Sequence, residues 1–182
     1  MKPNKENITL NDLGAFTSKL QEKDKKYATQ SKRLQYVYWF LIPFYLILGT
    51  YDYIFDGTTV KEFLSQVSFA IAMLVFALTF RKLAKEYNFV DYSEPTLTML
   101  KKVVKRYTPF HGNSRWVFVA LIFLDAGLCL KRQFDKDLLH IQIVFLGAIA
   151  ISICVGLILW LNKYKPIRDA AKQLINDIEM NN

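Results

Sequence analysis

The sequence predicts an all-α polytopic membrane protein: four transmembrane helices paired as two hairpins, with amphipathic helices on the cytoplasmic side. Three observations predict it. Hydrophobic residues make up 52 % of the 182, and they gather into four blocks instead of spreading at amphipathic spacing. Charged segments separate the blocks. The connections alternate between many and few basic residues. A bilayer core is about 30 Å thick, so a spanning helix needs about 20 apolar residues. Four such runs would leave a soluble helical bundle too little polar face to meet water.

Residues 1–33 form the first segment. Leu13, Leu20, Tyr27 and Leu34 stand at seven-residue spacing, but the companion positions Phe16, Lys23 and Gln30 make a poor second seam for a coiled coil. The expectation is a single amphipathic helix running toward the first span. The first hairpin occupies 34–80. Its blocks are Leu34 to Tyr51, which carries no charge and holds Pro43, and Phe63 to Phe80. Pro43 removes a backbone donor and favours a kink. Asp56-Gly57-Thr58-Thr59 is the turn, and Thr59 with Glu62 has capping-box spacing. Ser65, Gln66 and Ser68 on the second span suit local or interhelical hydrogen bonds. Asp52 and Asp56 are too few for a calcium site, which wants six to eight oxygens.

The loop 81–115 holds the next predicted helix. Ser93-Glu94-Pro95 is a good opening: a capping side chain, an acid in the first turn and an early proline. Leu97, Leu100, Val103, Val104 and Tyr107 then share one face, and Lys101, Lys102, Lys105 and Arg106 the opposite one. Pro109-Phe110-His111-Gly112-Asn113 breaks the chain. The second hairpin occupies 116–162, and Pro166 is expected to end its last span. In the final segment, 163–182, the residues Ile167, Ala170, Ala171, Leu174, Ile175 and Ile178 make another apolar stripe. Each half therefore reads as a hairpin followed by an amphipathic helix. Tyr87 and Leu97 share a ten-residue spacing with Tyr164 and Leu174, a weak parallel repeat.

Basic residues orient the chain. Of the 24 lysines and arginines, 20 fall before the first block, between the second and third, or after the fourth. The other two connections hold Lys61, and Lys131, Arg132 and Lys136. The positive-inside rule then places both termini and the central loop in the cytoplasm, and the general look of the chain is that of a small bacterial inner-membrane protein. Trp39, Trp116 and Trp160 fall at that interface as belt anchors. So strong a bias also separates the chain from small exporters that pair as antiparallel dimers.

Asp125 interrupts the third block, "LIFLDAGLCL". A charged acid at mid-membrane costs about 2.5–3.5 kcal/mol on insertion scales. The block is short, about 22 Å at 1.5 Å per residue, so Lys131 and Arg132 can bring water near its outer end. Across the hairpin, Asp125 faces a level close to His140 and Gln142. The expectation is that Asp125 points into the bundle and hydrogen-bonds one of them, either as interhelical glue or as a titrating or cation-binding site. Cys129 and Cys154 are expected at different depths, which speaks against a disulfide between them.

No HExxH, GxSxG, P-loop, GxGxxG or CxxC occurs, and two histidines are a poor basis for zinc. The expectation is therefore a non-enzymatic protein without cofactor or metal. It would act through its cytoplasmic helices, whose Lys101, Lys102, Lys105 and Arg106 would meet anionic lipid head groups, a membrane-protein partner or a second copy. Nucleic acid is excluded because no groove-reading motif accompanies the charge. The alternative is a small oligomeric transporter or channel with Asp125 on its path.

Overall fold

The computed structural model describes residues 10–92, 96–108, 115–131 and 137–180, with side chains from residue 14 onward. Among them there is no strand. The openings expected at Ser93-Glu94-Pro95 and the break at Pro109-Phe110-His111-Gly112-Asn113 lie outside the described residues.

Helix α1 (Leu10–Phe55) is a single rod of 46 residues that continues through Pro43. At 1.5 Å per residue it is about 69 Å long, more than twice a bilayer core of about 30 Å. The polar N-terminal stretch and the first apolar block are thus one element. The chain turns where the Asp52 carbonyl accepts from the N–H groups of Asp56 and Thr58, at 3.1 and 3.3 Å. Gly57 has φ +60°, a left-handed conformation that only glycine adopts freely. Thr59 then caps α2 (Val60–Asn88). Its Oγ1 accepts from the Glu62 N–H at 3.4 Å, and its own N–H donates to Glu62 Oε2 at 3.1 Å, the reciprocal box the sequence spacing predicts.

Helices α1 and α2 run antiparallel and zip through aromatic contacts. Ring centroids are 5.6 Å apart for Tyr53 and Phe63, 5.5 Å for Tyr45 and Phe69, and 5.1 Å for Tyr38 and Phe76. Gly49 permits the approach, since a Cβ there would stand 2.7 Å from Gln66 Cβ. Helix α4 (Arg115–Leu130) lies antiparallel on the other side of α2. Ser65 Oγ donates to the Gly127 carbonyl and Ser68 Oγ to the Phe123 carbonyl, both at 2.7 Å. These are interhelical bonds of the kind expected for small hydroxyl residues between apolar helices. Phe69 covers Gly127 so closely that an added Cβ would lie 2.6 Å from its ring.

Among the described residues, three helices are long and apolar enough to cross a membrane: Gly14–Phe55, Val60–Asn88 and Leu138–Met180. The expected third span, α4, has only 16 residues, so the count by length is three where the sequence predicts four. Helix α5 (Leu138–Leu159) buries none of its side chains. It meets α4 along an apolar groove of about 620 Å³, where Val117, Phe118 and Leu121 face Ala148, Ser152 and Gly156.

Pro166 does not end this last helix. The backbone stays helical from Leu138 to Met180. It passes through a π-helical turn (Trp160–Tyr164), in which the Lys165 N–H reaches back five residues to the Trp160 carbonyl, and continues as α6 (Lys165–Met180). Proline forbids the ordinary bond at residue 166. The wide turn just before it lets the ring fit without breaking the rod.

At the end of the bundle where α2 finishes and α6 begins, α3 (Thr96–Arg106) and α6 pack against the N-terminal half of α1. Leu20, Met99, Leu100, Val103, Ala171 and Leu174 form the buried core of this head. The faces that the sequence marks as apolar on α3 and α6 are thus spent on one another and on α1. Leu97 and Ala170 are the exceptions; both are half-buried and stand outside the core. Tyr87 and Tyr164, the matched positions of the weak repeat, both pack on Tyr27, with centroids 5.2 and 5.1 Å away.

Candidate functional site

Asp24 is the centre of the head. On α1 it follows Leu20 by one turn and precedes Tyr27 and Ala28, so the side that buries Leu20 also buries the carboxylate. Its side chain is 2 % exposed. Three donors surround it. Tyr107 Oη donates to Oδ1 at 2.6 Å; Tyr92 Oη and Arg106 Nη1 donate to Oδ2 at 2.7 and 3.0 Å. Charge-assisted bonds in a dry setting are the strong ones. One side chain on α1 thereby holds the end of α3 and the segment between α2 and α3. The network also reaches the π-helical turn: Trp160 Nε1 donates to the Tyr107 carbonyl at 2.8 Å, and the Arg168 guanidinium lies 4.9 Å from the Trp160 ring centroid.

Burial pushes the Tyr107 and Tyr92 hydroxyls well above the usual tyrosine range. Their hydrogen bonds to Asp24 and its negative charge act in the same direction. Both are neutral donors at any physiological pH. Not every polar atom is served. Arg106 Nε, Arg106 Nη2 and the Tyr27 hydroxyl are buried without a partner among the described residues.

Of the basic residues singled out on α3, the structure keeps Lys101, Lys102 and Lys105 on the exposed side. Lys101 Nζ reaches Glu179 Oε1 of α6 at 3.0 Å across that surface. Arg106 parts from them. Its side chain is 8 % exposed and faces Asp24, so it is an internal ion pair and no longer part of the outward basic face. The reason is angular. At 100° per residue, Arg106 sits about 60° from Val103 and about 40° from Lys102. That is the border between the faces, where a long side chain follows its counter-ion.

The trio Asp125, His140 and Gln142, expected within the membrane, divides as well. Gln142 Nε2 on α5 donates to Asp125 Oδ1 at 2.7 Å and to Cys129 Sγ at 3.1 Å. His140 is exposed and does not join them. Cys129 and Cys154 are free thiols. Among the described residues no cluster of histidine, cysteine, aspartate and glutamate is arranged for a metal ion.

The Asp125–Gln142 pair is the main polar tie between α4 and α5. Replacing Gln142 by Leu should cost about 1 kcal/mol, the usual scale of an interhelical hydrogen bond in lipid. The further change Asp125→Leu should return much of it by removing the abandoned carboxylate. Denaturant unfolding in mixed micelles checks both. Unchanged unfolding of the Gln142→Leu chain would contradict the assignment.

Sequence reasoning missed Asp24 and Tyr92. A signal for the first was present: Leu20, Asp24, Tyr27, Ala28 and Ser31 fall on one helical face, and Asp24, Ala28 and Ser31 are all buried. An acid inside an apolar stripe is the same anomaly that draws attention to Asp125. Comparison of the chain with family models, curated proteins and solved structures finds no match in any of the three.

Proposed function

We propose that this is a multi-pass protein of the bacterial inner membrane, with four spans and cytoplasmic termini, that works without catalysis. It acts through contacts of its cytoplasmic head, as a scaffold, accessory or regulatory subunit. One observation carries the reading: α1, α3 and α6, remote in sequence, close around Asp24 into a built core. A disposable loop has no need of a buried, triply bonded carboxylate. A surface that must keep its shape does, and the surface so held bears Lys101, Lys102 and Lys105. Those residues suit an acidic partner protein or anionic head groups at the bilayer surface.

The test is site-specific photo-crosslinking in native membranes, with the crosslinker at Lys105 on the head or at Ile151 on α5. A discrete adduct from position 105, on a protein or an anionic lipid, is the expected result. No adduct above background at 105, with a discrete one at 151, would move the function to the apolar helices. Reporter fusions at both ends test the orientation; an external signal from either rules it out.

A second reading rests on Asp125, Gln142 and Cys129, which gather at the α4–α5 seam. A small oligomeric transporter or channel would use them as a polar station. Flux that depends on pH or sodium, and is lost in Asp125→Asn, would favour it.

A further inference from the structure

Arg106 is only half engaged. A guanidinium has five N–H donors, and the edge carrying Nε and Nη2 is the fork that grips carboxylate or phosphate with two parallel bonds. Here Nη1 serves Asp24, whereas Nε and Nη2 are buried and meet no acceptor among the described residues. The Tyr27 hydroxyl, one turn along α1 from Asp24, is in the same position. Asp24 is already used on both oxygens by three donors. Among the described residues the head therefore holds more buried donors than acceptors, and the excess includes a complete bidentate edge.

We propose that the Nε/Nη2 edge of Arg106 is a binding site for a phosphate-class oxyanion, either inorganic phosphate or the phosphodiester of an anionic lipid head group. Access runs past Tyr92. Its hydroxyl shares Asp24 Oδ2 with Arg106 Nη1, its ring is less buried than that of Tyr107, and it belongs to no helix. The charge balance suits an anion. Asp24 and Arg106 cancel, Lys101 is paired with Glu179, and Lys23, Lys25 and Lys105 stand exposed around the head and raise the local positive potential. The site does not require the partner contact proposed for Lys105, so the two can fail separately.

The full chain in phosphatidylcholine nanodiscs, with inorganic phosphate against chloride at equal ionic strength, gives the first arm. Phosphatidylglycerol nanodiscs without phosphate give the second. Deuterium uptake over residues 96–108 should slow about tenfold when the oxyanion stands at ten times its dissociation constant. A response to phosphate alone assigns a soluble ligand, and a response to phosphatidylglycerol alone assigns the head group. Arg106→Lys keeps the charge but removes the fork, and should abolish the effect; Lys61→Gln, at the start of α2 and remote from the head, should retain it. If the Arg106→Lys chain does not fold, a phosphorus-31 line-width titration of the wild-type chain, with and without competing vanadate, reads the same site. Uptake that is unchanged in both arms would overturn the proposal and leave Arg106 to internal water, and so would equal slowing by chloride.

Discussion

Asp24→Ala should release the head while the α1–α2–α4 bundle stays paired. The expected cost is about 3–5 kcal/mol, the scale for removing one partner of a buried ion pair. The size follows from what remains behind: a guanidinium 8 % exposed with no counter-ion, and two tyrosine hydroxyls that lose their acceptor. Hydrogen exchange is the direct measurement. Residues 96–106 and 165–180 should lose protection. The turn at Asp52 to Thr59 and the Ser65–Gly127 contact depend on other bonds and should not. Trp160 supplies an optical signal, because its indole is tied to the Tyr107 carbonyl. The double change Asp24→Leu with Arg106→Met should recover much of the loss, since a buried pair replaced by apolar groups of similar volume is often neutral. Full protection of 96–106 in Asp24→Ala would show that apolar packing alone holds the head.

The contrast between Asp24 and Asp125 shows what could be read from residues alone. Both are acids inside apolar patterns. Asp125 is conspicuous because its neighbours form an unbroken block, and a hairpin sets the depth of the facing residue well enough to narrow the partner to His140 or Gln142, of which the fold uses Gln142. Asp24 lies in a segment rich in lysine, where one more charge attracts no notice. Its partners, Tyr92, Arg106 and Tyr107, are 68 to 83 residues away. Local periodicity carries no information across that distance. The same limit explains Arg106, whose place on the helix border leaves its direction to a counter-ion that only the fold supplies. Helix positions and the Thr59–Glu62 cap depend on neighbours a few residues apart and were legible. The continuation through Pro166 was not, because a π-helical turn has no sequence pattern as plain as the proline that it accommodates.

Alkaline pH should loosen the head before it melts the apolar bundle. Tyr92 and Tyr107 have their ionisation raised in the folded chain, first by burial and then by Asp24. In the unfolded chain a tyrosine titrates near 10. Below that value both states hold the proton, and the contribution of these groups to stability is fully present. Above it the unfolded chain releases protons that the folded head retains, so stability falls as pH rises toward the folded values. For Tyr107, which is 3 % exposed, the slope approaches about 1.4 kcal/mol per pH unit. Tyr92 is more open to water, which screens its share. Exchange of residues 96–106 should therefore accelerate above pH 10 beyond the intrinsic base catalysis measured on an unstructured peptide. Tyr107→Phe removes the titrating group and should flatten most of this dependence, at the cost of one hydrogen bond to Asp24. An excess acceleration that persists unchanged in the Tyr92→Phe, Tyr107→Phe double variant would assign the alkaline weakness to other groups, and would place the strength of the head outside the Asp24 network.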